Sequence, residues 1–223
     1  MITKDIKSYL ANNYSEYLES ISELSKICGD KSLVKDNRKL YNFDKITQKI
    51  YEKNLPQSVD SVYASSKKIF FKEYKTGFKK KINRNNFDKE RMKCPYIGKY
   101  CKDYGKLFFR NQTNEDTILR NSLQLKAIES YTTFMEQIVS KSREDENHIR
   151  KSLIYCVVVD DYVSHMENIL DMLADRKSDT NIIEGLKKSL SRFQKTENKD
   201  YYFDEIKVFS PHDFREFVTR NME

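Results

Sequence analysis

Residues that interrupt regular secondary structure are scarce in this chain of 223 residues, which contains only five Gly and three Pro. All-β folds need many turns, and Gly and Pro mark most of those turns. Few such residues favour long uninterrupted elements, which means helices. The sequence therefore predicts an all-α protein, a single domain over residues 1–223 that forms a multi-helix bundle of about seven helices.

Two long amphipathic stretches predict the core of that bundle. Thr113 and Asp116 form a capping box, after which apolar residues recur at helical spacing to about Lys141. A second element with the same spacing is expected over residues 145–176. A polar turn joins the two, so residues 113–176 are predicted to form a long antiparallel helical hairpin. The predicted inward faces are Leu119, Leu123, Ala127, Tyr131, Phe134 and Ile138, then Tyr155, Val159, Tyr162, Met166, Ile169 and Leu173.

Shorter elements are expected on either side of this hairpin. Apolar spacing predicts further helices over residues 3–28, 43–50, 58–82 and 180–195. Tyr201 to Phe209 alternates in part, which favours an extended segment. Ser210, Pro211 and Asp213 are typical of a helix N-terminus, so a closing helix is expected through Asn221.

Residues 67–110 carry most of the positive charge and are predicted to form an irregular basic arm. Fifteen Lys and Arg against four acids give this segment a net charge of +11, whereas the whole chain carries +7. Ten aromatic residues lie among the cations. Cations follow a phosphate backbone and rings stack on unpaired bases, so the composition predicts nucleic-acid binding. The expected nucleic-acid contacts are Lys72, Lys75, Lys79, Lys80, Lys81, Arg84, Lys93 and Lys99, with Tyr96, Tyr100 and Tyr104 as stacking residues. The alternative is a solvated lysine face over buried rings.

Arg143 and His148 have an Arg-x-x-x-x-His spacing between two predicted helices. This spacing resembles the motif of HEPN-domain RNases, all-α proteins whose Arg and His, usually paired across a dimer, act on the RNA backbone at the 2′-hydroxyl. The resemblance implies a metal-independent RNase in which His148 is the acid or base and Arg143 holds the phosphate. Glu144 stands where that family more often has Asn, Asp or His. The alternative is an exposed helix start with acids at its first turn.

Cys94 and Cys101 are the candidate metal ligands among four cysteines. A structural zinc needs four ligands, and no second Cys or His pair lies nearby in the sequence. No cofactor is therefore expected, with zinc at this pair as the alternative. The start of the chain lacks the apolar core of a signal peptide, and no apolar run approaches the ~20 residues that span a bilayer. Free thiols in an intracellular, cytoplasmic protein without transmembrane association are expected.

The apolar run Leu153 to Asp161 ends in two acids and allows several interpretations. Taken alone it resembles the first strand and acidic pocket of a response-regulator receiver domain, with Asp160 and Asp161 as metal ligands. The chain after Asp161 lacks the repeated strand–helix units of such a domain, so a buried helix segment is favoured. Asp161 and His165 are four residues apart, which is typical of an ordinary intrahelical pair.

The sequence thus favours a non-enzymatic, accessory or regulatory protein that acts through a basic and aromatic surface. Its expected partner is RNA, DNA or a nucleic-acid-handling complex. One alternative is the RNase that uses Arg143 and His148. Another is a protein-interaction module or inhibitor that binds an acidic partner surface. No Gly-rich phosphate loop, nucleophile elbow or His-Glu-x-x-His motif is present in the sequence.

Overall fold

A six-stranded mixed β-sheet lies at the centre of the protein, so the prediction of an all-α bundle is wrong. The structure is a computed structural model that describes residues 4–26, 31–76, 99–159, 182–196 and 201–222. The sheet has the order β1-β2-β3-β4-β5-β6. The first four strands pair antiparallel, whereas β4, β5 and β6 are parallel. The strands are β1 (Leu18–Ser20), β2 (Lys39–Asn42), β3 (Ser61–Ala64), β4 (Ile69–Lys75), β5 (Leu153–Val159) and β6 (Glu205–Phe209).

Helices cover both faces of this sheet, which makes the architecture a three-layer α/β fold. In the part of the chain that the structure describes, the helices are α1 (Lys4–Tyr14), α2 (Ile21–Leu24), α3 (Phe43–Ile50), α4 (Lys99–Phe134), α5 (Ser140–Ser142), α6 (Glu146–Arg150), α7 (Ile182–Leu190) and α8 (Pro211–Asn221). A π-helical turn, Met135–Val139, joins α4 to α5. Residues of α1, α3, α4 and α7 pack on one face, and residues of α2 and α8 pack on the other.

The central strands β4 and β5 explain why a helical prediction failed here. All seven residues of β5 are buried, and alternate residues enter opposite cores: Tyr155 packs under α4, whereas Cys156 lies on the α8 face. Such a strand has no polar face, so its sequence is a continuous apolar run that resembles a buried helix segment. The predicted helix over 58–82 is instead the β3–β4 hairpin, and residues 77–82 lie outside the described residues.

The predicted helical hairpin over 113–176 is also wrong, because its expected second arm contains strand β5 over Leu153–Val159. Helix α4 begins at Lys99, ahead of the expected capping box, and supplies the crossover that parallel strands β4 and β5 require. Arg143 ends the helical stretch in the left-handed conformation, with φ 67°. The short helix α6 follows and leads into β5, and the rest of the expected second arm, residues 160–176, lies outside the described residues.

Several local predictions are confirmed at helix termini. Helix α3 spans Phe43–Ile50 as expected, and Asn42 caps it through Lys45 N. Helix α8 begins with Ser210 as N-cap and Pro211 in its first turn, and it ends at Asn221. The predicted helix over 3–28 is shorter than expected, because α1 ends at Tyr14 and edge strand β1 follows. Capping signals are local, so they remain visible where the sheet is not.

Candidate acid–lysine site at the sheet edge

Two carboxylates meet where β3 begins and β4 ends. Asp60 directly precedes β3, and Glu73 is the fifth residue of β4. The antiparallel register pairs Ser61 with Lys72, which places Asp60 beside Glu73. The backbone N–H of Tyr74 donates to Asp60 Oδ2 at 2.6 Å and fixes this carboxylate against the end of β4.

Helix α4 adds a cation between the two acids. Lys126 Nζ lies 2.9 Å from both carboxylate oxygens of Glu73 and 3.5 Å from Asp60 Oδ1. The Glu73 side chain is 1% exposed, whereas those of Lys126 and Asp60 are 17% and 20% exposed. The site is therefore sealed at Glu73 and reaches solvent beside Asp60 and Lys126. We call Asp60, Glu73 and Lys126 the acid–lysine centre.

Burial and mutual repulsion act on the acids of this centre. Burial raises the pKa of Glu73, and the nearby charge of Asp60 raises it further. Burial also raises the pKa of Asp60, and the Lys126 ammonium opposes this. Burial alone would lower the pKa of Lys126, but Glu73 and Asp60 outweigh it and raise that pKa. The lysine therefore stays protonated, whereas both acids hold a proton more tightly than free carboxyl groups do.

The loop that carries Asp60 is anchored to α4. Val59 N donates to Ser130 Oγ at 2.8 Å, and Ser130 is fully buried. Gln57 N donates to Glu129 one residue earlier in the same helix. Glu129 and Ser130 lie one turn after Lys126 on the same face of α4, so one helix positions both the lysine and the Asp60 loop.

The donor set suits a hard cation more than a soft one. Mg²⁺ is typically bound by one or two carboxylates, with water and substrate oxygens completing its coordination. Asp60 and Glu73 supply two such carboxylates, and Asp44 is close enough to Asp60 to raise its pKa. Among the described residues, no group of three or more His, Cys, Asp or Glu is arranged to hold a metal ion. The centre thus provides two carboxylates, not a closed structural site.

Lys72, one of the expected phosphate contacts, lies on the opposite face of the sheet from the acid–lysine centre. It is fully buried, with Nζ 2.7 Å from Met222 Sδ and 5.2 Å from the ring centroid of Tyr63. The rings of Phe70 and Phe214 are also within 6 Å of Nζ. Burial lowers the pKa of Lys72 to about 7. A lysine enclosed in this way is not placed to contact phosphate.

The other residues of the expected nucleic-acid surface have varied positions. Lys75 is half-buried at the end of β4, close enough to Glu73 to act on its pKa. Lys99, Tyr100 and Tyr104 belong to the first turns of α4. The remaining members lie outside the described residues: Lys79, Lys80, Lys81, Arg84, Lys93 and Tyr96. Their role in nucleic-acid binding stays a prediction.

The expected RNase pair is exposed and divided between two elements. Arg143 is the C-cap of α5, and His148 lies on α6 with its side chain 67% exposed. His148 Nδ1 is 3.2 Å from Asp145, the N-cap of its own helix. This is the arrangement of an exposed helix start, with an acid beside the first turn.

The expected metal ligands cannot be placed as a set. Cys101 belongs to α4, whereas Cys94 lies outside the described residues. Asp160, Asp161 and His165 lie outside them as well. Zinc at the cysteine pair therefore stays a prediction. Cys156 is a free, buried thiol, and burial raises its pKa to about 12.

Sequence analysis missed Asp60, Glu73 and Lys126. Glu73 was counted only as one of four acids within the basic segment. The available signal was Ile-Phe-Phe followed by Lys-Glu-Tyr-Lys, which is rich in β-forming residues and bounded by a Ser-Ser-Lys-Lys turn. Glu73 near the end of a buried strand, with Asp60 thirteen residues earlier, would have pointed to the place where β3 begins and β4 ends.

Fold and site together define a three-layer α/β protein with two acids and a lysine at one sheet edge. No family model, curated protein or solved structure matched this chain. Within the described residues, no helix is long and apolar enough to cross a membrane.

Proposed function

We propose that this protein is a divalent-metal-dependent hydrolase that cleaves phosphodiester bonds in nucleic acid. The observation that carries the proposal is the acid–lysine centre, in which two carboxylates from adjacent strands share one ammonium group. Buried charges of this kind are a weak means of stabilising a fold, because their desolvation opposes their attraction. They are frequent where a protein binds ions or performs chemistry.

Asp60 and Glu73 are the residues that would hold the ion. A divalent ion supplies charge neutralisation at the phosphate and a more acidic bound water. The Lys126 ammonium lies between the two acids and bonds both oxygens of Glu73, so a metal ion that binds both carboxylates has to displace it. The raised pKa values of both acids indicate excess negative charge and desolvation, which a bound dication relieves.

Lys126 and Lys75 supply positive charge for the phosphate. In hydrolysis the water oxygen bonds to phosphorus and one phosphoester bond breaks. The water releases a proton to solvent, and the departing oxygen takes one up. Negative charge grows on the phosphate oxygens, where a lysine released from Glu73 can donate a hydrogen bond. Lys75 lies two residues beyond Glu73 on β4 and adds charge at the same edge.

Nucleic acid is the favoured substrate because of the charge of the chain. The net charge is +7, and residues 67–110 carry +11. The segment begins immediately before β4, so Glu73 of the acid–lysine centre lies within the most basic part of the sequence, whereas Asp60 and Lys126 flank that segment in the sequence. A non-enzymatic nucleic-acid-binding protein is the second candidate, supported by this same charge.

Cleavage of end-labelled single-stranded and duplex DNA and RNA tests the proposal directly. We expect cleavage with Mg²⁺ or Mn²⁺ and none with EDTA. Asp60→Asn and Glu73→Gln should lower the rate at least ~100-fold, because each removes a carboxylate from the centre. Glu216→Gln is the matched control, since this acid is exposed on α8 at the opposite face.

Each outcome of this assay separates the candidates. Metal-dependent cleavage that survives in both Asp60→Asn and Glu73→Gln would contradict the proposed site. Salt-dependent binding of intact strands at every metal concentration would favour the non-enzymatic candidate. Cleavage in EDTA that His148→Ala abolishes would instead support the RNase alternative.

A further inference from the structure

A cleft lies on the helical face that also bears the acid–lysine centre. Its volume is about 420 Å³. That size is within the range of small-ligand pockets and can accommodate one nucleotide unit. The lining residues are Tyr131, Arg150, Arg192, Phe193, Tyr201 and Tyr202. The cleft thus combines two guanidinium groups with four aromatic rings.

Three of the four rings of this cleft form a connected group. Tyr131 and Tyr202 have ring centroids 5.0 Å apart in an edge-to-face arrangement, and Phe193 lies 6.0 Å from Tyr202. Tyr201 and Tyr202 are half-buried, so part of each side chain reaches solvent. Partly exposed tyrosine rings that rest on other packed rings are the kind of surface on which an unpaired nucleobase stacks.

The guanidinium groups stand beside these rings. Arg192 stacks on Phe193, with its guanidinium carbon 4.8 Å from the ring centroid, and it donates to Gln124 of α4. Arg150 lies over Tyr131 at 5.7 Å and pairs with Glu146. Within the described residues no carboxylate forms an ion pair with Arg192. Its positive charge is therefore available to an anion, and arginine suits phosphate by geometry.

Helix α4 connects this cleft to the acid–lysine centre. Lys126 belongs to the centre. In the same helix, Gln124 accepts a hydrogen bond from Arg192, and Tyr131 lines the cleft. A strand held in the cleft would therefore be positioned by the element that supplies the lysine.

We infer that the cleft is a nucleotide-binding subsite in which a base stacks on Tyr201 and Tyr202 and Arg192 holds a phosphate. The ligand class is a nucleotide unit, presented either by a single strand of nucleic acid or by a free nucleotide. This inference rests on the proposed nucleic-acid substrate, but it does not require catalysis at Glu73.

Binding measured in EDTA tests the subsite separately from cleavage. The probes are 5′-phosphorylated, fluorescently labelled oligo-dT and oligo-rU of eight nucleotides, followed by anisotropy, and free AMP and UMP, followed by calorimetry. Arg192→Gln and Tyr201→Leu should each weaken binding of the favoured probe at least fivefold, and Arg192→Gln should also reduce its salt dependence. Arg220→Gln is the matched control, because this arginine is exposed on α8 at the other face.

The results distinguish a nucleic-acid strand from a free nucleotide as the ligand, and they test the subsite separately from the proposed hydrolase activity. Tighter binding of the oligonucleotide assigns the cleft to a strand, and equal or tighter binding of the mononucleotide assigns it to a free nucleotide. Unchanged affinity in both cleft variants, with circular dichroism showing an intact fold, overturns the subsite. The absence of wild-type binding up to about 1 mM probe also overturns it, because a Kd of about 1 mM corresponds to only about −4 kcal/mol. Binding in EDTA does not depend on catalysis, so loss of cleavage in Glu73→Gln leaves the subsite standing.

Discussion

Lys72 and Lys126 show how differently two buried lysines behave on opposite faces of one sheet. Lys126 lies between two carboxylates, so its pKa is raised despite burial. Lys72 is surrounded by aromatic rings and the Met222 sulfur, and burial lowers its pKa to about 7. The first environment stabilises a cation, whereas the second disfavours one.

Lys72→Met should therefore stabilise the protein at neutral pH. The pKa of Lys72 falls from 10.5 to about 7 on folding. Burial of the neutral amine therefore costs no stability above pH 10.5, and this cost grows as the pH falls toward 7, because the unfolded chain binds the proton more tightly. At ~1.4 kcal/mol per pH unit, the gain from Lys72→Met should be about 4 kcal/mol at pH 7 and about 3 kcal/mol smaller at pH 9.5. Urea unfolding at both pH values measures it.

Lys188→Met is the control for this experiment, because Lys188 is exposed on α7. Its effect should be small and equal at the two pH values. A Lys72→Met variant that is less stable than wild type at pH 7 would contradict the account of this residue.

Lys126→Met should destabilise the protein by about 3 kcal/mol, because it leaves Asp60 and Glu73 facing each other without the ammonium. Millimolar Mg²⁺ should restore part of that loss, since an ion that binds only the folded state stabilises it. Differential scanning calorimetry with and without Mg²⁺ is the measurement. The double variant Lys126→Met with Glu73→Gln should regain stability without Mg²⁺. An equal response to Mg²⁺ in all three proteins would argue against an ion site.

Helix α4 is the element that organises the site. It is the crossover between parallel strands β4 and β5, it supplies Lys126, and Ser130 fixes the loop before β3. A change within this helix should therefore reach the acid–lysine centre through the position of Asp60.

Ser130→Ala tests that coupling. It leaves the buried N–H of Val59 without its partner, which should cost ~1–3 kcal/mol. Under the proposed function, cleavage should fall about tenfold at a temperature where the variant remains folded, because Asp60 is no longer held. Ser189→Ala is the control, since its hydroxyl donates only within its own helix, to Leu186 O at 3.0 Å. Wild-type cleavage by folded Ser130→Ala would show that the anchor does not matter.

Elements were predictable where their signals are local. Apolar spacing predicted α3, and the cap residues Ser210, Pro211 and Asp213 predicted α8, so both helices were found. The sheet was missed because β5 is buried on both faces, and a strand of that kind has no alternation to reveal it. The acid–lysine centre could not be predicted because Lys126 is 53 residues from Glu73, and only the packing of α4 on the sheet brings the two side chains together.

At the scale of the whole molecule, positive charge should govern the encounter with nucleic acid. With a net charge of +7, affinity for a labelled oligonucleotide should fall at least ~10-fold between 50 and 200 mM salt. Charge reversal of Lys79, Lys80 and Lys81 to Glu should weaken binding and flatten its salt dependence, measured by anisotropy in EDTA. The control is charge reversal to Glu at two exposed lysines of α7, Lys187 and Lys188. Identical salt curves for the basic-segment variant and wild type would remove this segment from the binding surface.

The central claim is that a divalent cation binds between Asp60 and Glu73. Its most direct test is anomalous diffraction from crystals of the protein grown with Mn²⁺, compared with crystals of Glu73→Gln under the same conditions. The account predicts an anomalous peak within ~2.5 Å of oxygens from both carboxylates, displacement of Lys126 from Glu73, and loss of the peak in the variant. Lys126 still bonded to both oxygens of Glu73, with no anomalous density beside it at saturating Mn²⁺, would contradict the claim.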